Sequence, residues 1–290
     1  MYIILIIQQI IASTTHIVAK DLTSSLNPLL ILFIRAFIAA SAFVLWIIFR
    51  ERKFFKIEKV DLLPFIILGA LNIPLNQYLF FIGIQRTTAP NIALAYALSP
   101  AFVMIISHYF FNQKVKLINS IGITIALVGT FLVLFEHGFS FSSVNFLGDV
   151  FGILASFSWA IYTLYGRKFS IKYGAIYTTG WAMILGFILY LPIYLFTSNM
   201  ADIAKVNLSQ FGEIAYLGII TSGVAYILWY YALKKIEANK VAVFSNLQPI
   251  LTTLLAIIFF QQTITLYFIS GGIFIIIGVI LTQKESQQKL

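Results

Sequence analysis

Residues 89–129 read APNIALAYALSPAFVMIISHYFFNQKVKLINSIGITIALVG, and residues 238–278 read ANKVAVFSNLQPILTTLLAIIFFQQTITLYFISGGIFIIIG. The two stretches match without a gap at an offset of 149 residues. Ala89 meets Ala238, Ala93 meets Ala242, Pro100 meets Pro249, Phe110 and Phe111 meet Phe259 and Phe260, and Gln113 meets Gln262. Leu117 then meets Leu266, Gly122 meets Gly271 and Gly129 meets Gly278, while upstream Gly69 meets Gly218. Apolar segments align through composition alone; coincident Gly, Pro and Gln in one register indicate an internal repeat.

Working outward, both stretches lie in a chain of 290 residues that is 60% hydrophobic and 10% charged. A soluble domain carries about a quarter charged residues, so this composition excludes an ordinary water-soluble fold. Runs of about 20 apolar residues long enough to cross a bilayer occur ten times. They fall near 2–19, 29–49, 62–83, 89–110, 117–135, 147–166, 175–196, 211–232, 239–260 and 265–282. The first run lacks a basic leader segment and a cleavage site, and reads as a retained helix. Continuous apolarity without alternation argues against barrel strands.

The positive charge tests this count, because Lys and Arg are retained in cytoplasmic loops. Fifteen of the nineteen basic residues fall in alternate connections and the C-terminal tail; Lys20, Arg86 and Lys205 fall on the other side, and Arg35 lies inside the second run. The basic side is then cytoplasmic, with both termini inside. Two copies of five helices follow, at 1–141 and 142–290. Five being odd, the second copy enters the membrane upside down, as in many secondary transporters. The expected fold is an all-α polytopic membrane protein with ten transmembrane helices in two inverted five-helix repeats.

Several classes of chemistry are disfavoured. The absence of cysteine rules out disulfides and thiolate chemistry, and His16, His108 and His137 are too dispersed for a metal motif. No cofactor is indicated, and the +9 charge forms no basic stripe for nucleic acid. All ten acidic residues fall in loops or at span ends, so an intramembrane proton-carrying carboxylate is not expected. Facilitated diffusion or exchange is favoured, with His16 as the titrating group nearest a cavity.

Polar residues inside apolar helices face a cavity or another helix. Gln9, Ser13, His16 and Lys20 share one face of the first helix; Asn72 and Asn76, beside Gln77, share a face of the third. The sixth contributes Ser158, Trp159, Tyr162 and Tyr165, and the eighth Ser222, Tyr226, Trp229 and Tyr230. Asn91, Tyr96 and Ser99 stand in the fourth helix, Asn246 and Gln248 in the ninth. Interhelical hydrogen bonding alone would also explain each of them. Together they can line a neutral pocket rich in aromatic rings and amides, suited to an apolar or aromatic amino acid, a nucleoside-like metabolite or an amphipathic drug. Arg35 reads mainly as a structural residue that snorkels or bonds helix-end carbonyls, with an anion clamp as the alternative. Pro100 and Pro249 mark bends, and with them candidate gating elements.

The order of these motifs resembles the ten-helix EamA-type carriers of the drug/metabolite transporter superfamily, over nearly the whole chain. The resemblance rests on Pro28 with Leu29, Leu30 and Phe33-Ile34-Arg35; on Ser99-Pro100 and Gln248-Pro249; on Trp159 to Thr163 with Arg167; and on Gly122 to Gly129, repeated as Gly271 to Gly278. It implies transport of small metabolites, often export of amino acids or related compounds, and places the cavity between the helices just named. The expectation is a multi-pass protein of the cell inner membrane, monomer or homodimer, whose partners are a small-molecule substrate and the lipid bilayer. Alternatives are an importer or exchanger of a nucleoside-like metabolite such as S-adenosylmethionine, a lipid-handling membrane enzyme, and a receptor or scaffold.

Overall fold

The computed structural model describes residues 1–50, 57–111, 116–134 and 144–283. Expectations about Glu51, Arg52, Lys53, Lys56, Gln113, Lys114, Glu136, His137, Lys284, Glu285, Lys289 and the 141/142 boundary concern positions outside these residues. Among the described residues every regular element is helical. We number the apolar rods α1 (Tyr2–Ser25), α2 (Pro28–Arg50), α3 (Lys59–Arg86), α4 (Ala89–Ala97 continuing as Ser99–Phe111), α5 (Leu117–Leu134), α6 (Val144–Tyr173), α7 (Ala175–Thr197), α8 (Leu208–Lys235), α9 (Ala238–Phe260) and α10 (Leu266–Gln283). Eight of them have the length and apolarity to cross a membrane. The other two, α5 and α10, have 18 residues each, about 27 Å at 1.5 Å per residue, close to the hydrocarbon thickness.

Several helices outrun their apolar stretches. α1 continues to Ser25 instead of stopping near residue 19, because Thr23 and Ser24 donate to the carbonyls of Ala19 (2.8 Å) and Asp21 (2.6 Å) and stabilise a polar final turn. α6 has 30 residues, extending past both ends of the expected 147–166. A short 3-10 helix, Met200–Lys205, bridges α7 and α8 and had no apolar signal of its own.

The repeat is visible in the element boundaries. α3, α4 and α5 begin at residues 59, 89 and 117, and α8, α9 and α10 begin 149 residues later in each case. Both α3 and α8 contain a π-helical stretch, Leu71–Gln77 and Leu217–Val224. Pro74 inside the first has Gly223 as its repeat counterpart; one removes an amide donor and the other weakens the ladder, and the wider turn absorbs both defects. The carbonyls of these stretches find hydroxyls: Ser158 donates to Leu71 O at 3.0 Å and Thr221 to Leu217 O at 2.7 Å. α4 breaks at Leu98, just before Ser99-Pro100, and α9 carries a 3-10 turn, Val243–Asn246, just before Gln248-Pro249.

The direction of the second copy follows from glycine contacts between α5 and α10. A Cβ at Gly129 would lie 2.5 Å from Gly271 O, and one at Gly278 would lie 2.5 Å from Gly122 O. Residue number therefore rises along α5 as it falls along α10, so these repeat-equivalent helices are antiparallel. Gly122 and Gly129 have Gly271 and Gly278 as repeat partners, so each contact is the image of the other under a two-fold axis perpendicular to the helices. With the helices across a bilayer, that axis lies in the membrane plane. The same operation relates α3 on α7, where Gly69 abuts Gly186, to α8 on α2, where Gly218 abuts Ile38. It also relates two cation–carbonyl ties: Lys20 Nζ donates to Ile84 O (3.0 Å), and Arg167 Nε donates to Leu233 O (3.2 Å), Ile84 and Leu233 being repeat partners.

Between α6 and α7 the chain turns on Gly174 alone, at φ 89°, a left-handed conformation with open space where a Cβ would go. Gly174→Ala is expected to cost about 1 kcal/mol through backbone strain alone, lowering the thermal midpoint by about 2–4 °C. Gly212 is equally open but helical, so Gly212→Ala should shift the midpoint the other way. Thermal unfolding of the two variants checks the signs.

Candidate functional site

α1, α2, α3, α4, α6, α8 and α9 line a cavity whose envelope, open space at its mouth included, is about 500 Å³. About 60 Å³ of this is free for water-sized molecules, room for a few waters, so a metabolite needs the walls to part. Among the residues expected from sequence, His16, Asn76, Tyr96, Trp159, Tyr226 and Gln248 line it, and so does Arg35.

Arg35 neither snorkels nor bonds helix-end carbonyls. Its side chain is buried, with Nε donating to Ser222 Oγ (2.8 Å), Nη2 donating to Thr221 Oγ1 (3.1 Å), and the guanidinium 5.5 Å from the Phe81 ring centroid. Both acceptors sit on the π-helical stretch of α8, which turns consecutive hydroxyls toward one partner. Among the described residues no carboxylate forms an ion pair with Arg35.

The π-helical stretch of α3 does the corresponding work with amides. Asn76 Nδ2 donates to Tyr96 OH (2.9 Å) and to Ala155 O (2.7 Å), tying α3 to α4 and α6. Gln77 Nε2 donates to Asn72 Oδ1 (3.1 Å), and Asn72 Nδ2 points away from the cavity at Met183 Sδ (3.3 Å). Gln248 Nε2 donates to Gln9 Oε1 at 2.7 Å, joining α9 to α1. His16 Nδ1 lies 3.0 Å from Ala12 O, so that nitrogen carries the proton, and Nε2 has no partner among the described residues.

Trp159 is the centre of the aromatic wall. Its ring stacks on Tyr162 (5.4 Å) and meets the rings of Tyr226 (5.1 Å) and Trp229 (5.4 Å). Trp229 stands behind it, its Nε1 donating to Thr163 Oγ1 at 3.1 Å. His16, also in the lining, packs edge-on against Phe80 and Tyr96.

The remaining expected residues support the wall without lining it. Gln9 holds Gln248, Ser13 donates back to Gln9 O (2.8 Å), Ser158 satisfies the π-turn carbonyl, Ser222 holds Arg35, and Tyr162 and Trp229 back Trp159. Asn246 is buried on the 3-10 turn of α9 and is not part of the lining. Pro100 and Pro249 sit at the two helix irregularities. Gln8, Thr15, Phe80 and Thr221 line the cavity and were missed. Gln8, Ala12 and Thr15 form a second stripe beside the Gln9–Ser13–His16 one, and Ala12 at its centre hid it.

Asp149 alone among the described carboxylates is buried, in the second turn of α6, where it accepts from Asn91 Nδ2 (3.2 Å) and the Thr87 hydroxyl. It lies near the helix end, as its sequence position indicated, and outside the cavity lining.

This architecture has relatives. The chain is 26% identical to an uncharacterized transporter, YyaM, of Bacillus subtilis (strain 168), over 96% of this chain and 92% of that one. It is 28% identical to an uncharacterized transporter of Archaeoglobus fulgidus, over 99% and 98% of the two chains. A crystal structure superposes with a TM-score of 0.70 at 16% identity, covering 96% of this chain and 94% of its own, a likeness of fold. The sequence profile of the EamA-like transporter family matches residues 1–135 and 146–283, nearly the whole length. With its buried polar cavity, its apolar helices of membrane-crossing length and this match, the chain is a multi-pass membrane protein that belongs to the EamA-like transporter family.

Proposed function

We propose that this protein is a secondary transporter that moves a small organic metabolite, an amino acid or related compound, across the cell inner membrane by export or exchange, with both termini cytoplasmic. One observation carries this reading: a single buried polar and aromatic cavity is built from helices of both copies of a two-fold repeat whose axis runs across the helices. Such a site can open to either side by the same movement carried out in one half or the other. The fifteen-to-three partition of Lys and Arg supports the orientation. Among the described residues the lining holds no carboxylate, which favours exchange or facilitated diffusion over carboxylate-borne proton coupling.

The stacked Trp159–Tyr162 pair supports a second reading, exchange of a nucleoside-like metabolite, because a planar base is well matched to that wall. Counterflow in proteoliposomes decides between the two. Vesicles loaded with unlabelled amino acids are expected to accumulate labelled amino acid above protein-free vesicles. A signal from nucleosides alone favours the second reading, and equal uptake with and without protein for both sets overturns the carrier assignment.

A further inference from the structure

Among the described residues Arg35 is the one cationic side chain in the cavity lining, and it has more donors than partners there. A guanidinium carries five N–H groups; Ser222 and Thr221 take one from Nε and one from Nη2, leaving three without a partner among the described residues. The two hydroxyls hold the plane of the group, and the edge shared by Nη1 and Nη2 retains the paired donors that match a carboxylate. A buried cation with no counter-anion is unfavourable, so a ligand that supplies one gains from the mismatch.

The same wall has the opposite deficit. Gln8 Oε1 and Gln77 Oε1, as well as His16 Nε2, are buried with no hydrogen-bond partner among the described residues, and all three belong to residues lining this cavity. In the neutral ring, Nε2 is an acceptor, as the two amide oxygens are. Unmet buried acceptors are costly until a donor arrives. Resting on the carrier reading above, we infer that the cavity recognises its cargo by a carboxylate on Arg35 and by N–H donors on Gln8, Gln77 and His16, with the apolar part of the molecule against Trp159 and Phe80. That is the chemistry of a zwitterion with one carboxylate and one ammonium. A dianionic phosphate would lack a second cation, and a simple cation would lack a carboxylate in the described lining.

The test compares four probes with the same ring on purified full-length protein: L-phenylalanine, 3-phenylpropionate, phenethylamine and L-phenylalaninamide. Thermal shift and equilibrium binding should rank L-phenylalanine first, 3-phenylpropionate about tenfold weaker, and the two probes without a carboxylate about a hundredfold weaker. Arg35→Gln should reduce L-phenylalanine to the level of phenethylamine and leave phenethylamine unchanged, with Arg35→Lys between. Should Arg35→Gln not fold, the double change Thr221→Ala, Ser222→Ala keeps the charge but frees its plane, and should weaken only the two carboxylates. Wild-type protein that binds phenethylamine or phenylalaninamide as tightly as L-phenylalanine, or none of the four, overturns the inference, as does a folded Arg35→Gln variant with unchanged affinity. Carboxylate-selective binding without exchange across vesicles would overturn the carrier reading and leave this one. Exchange of cations or neutral compounds with no preference for a carboxylate would do the reverse.

Discussion

Gly278→Leu is expected to leave little or no monodisperse protein after extraction. A Cβ at this position would lie 2.5 Å from Ala126 N and 2.5 Å from Gly122 O. Both are backbone atoms of α5, which cannot rotate aside as a side chain can. Overpacking of side chains costs about 1–3 kcal/mol; a backbone clash within the seam belongs at or above the top of that range, because the whole of α5 must retreat. The retreat also opens the two-fold-related contact of Gly129 with Gly271. A thermal midpoint lower by about 10 °C, or loss of the size-exclusion peak, is the expected result. Ile277→Leu, on the half-exposed neighbouring position, is the control and should behave as wild type. A Gly278→Leu midpoint equal to that of the control would refute the antiparallel seam.

Trp159→Ala is expected to harm both stability and transport, and comparison with Trp229 separates the two effects. Trp159 is buried against Tyr162, Tyr226 and Trp229 while its other face borders the cavity. Truncating a buried Trp costs about 3–5 kcal/mol, and here it also removes the aromatic wall. Trp159→Phe keeps most of the packing, so near-native stability with substrate affinity reduced several-fold is expected. Trp229→Phe removes the bond to Thr163, worth about 1 kcal/mol, one layer behind the wall. It should lower the midpoint by a few degrees while affinity stays close to wild type. Counterflow rates normalised to folded protein and thermal midpoints provide the comparison; a larger loss of affinity in Trp229→Phe than in Trp159→Phe would show that the cargo does not meet Trp159.

The membrane made much of this architecture legible. Ten apolar stretches had to be long enough to satisfy their own backbone groups in hydrocarbon, which is why even the short helices α5 and α10 appeared at the expected places. Gly122, Gly129, Gly271 and Gly278 were legible as a repeat because only Gly permits the approach they make. Side-chain direction was less legible. Helical spacing at 3.6 residues per turn assumes an unbroken ladder, and each π-helical stretch inserts an extra residue that rotates everything beyond it. Asn72 and Asn76 were expected on one face, yet Asn76 borders the cavity and Asn72 turns to Met183. Thr221 was passed over next to Ser222 for the same reason. The environment of Arg35 was hidden differently: its acceptors lie 186 and 187 residues away, and no local pattern marks them.

The packing across the two-fold axis bears on how the chain is completed during synthesis. α1 packs against α9, α2 against α8, α3 against α7 and α5 against α10, so most extensive contacts join helices from different copies. The copies are therefore interlocked, unlike two domains that each close around a core of their own. The glycine face of α5 has no complementary surface until α10 emerges, and Gln9 in α1 waits more than two hundred residues for Gln248. The first half thus enters the bilayer with its seam uncovered, and α10, made well over a hundred residues after α5, is the segment that covers it.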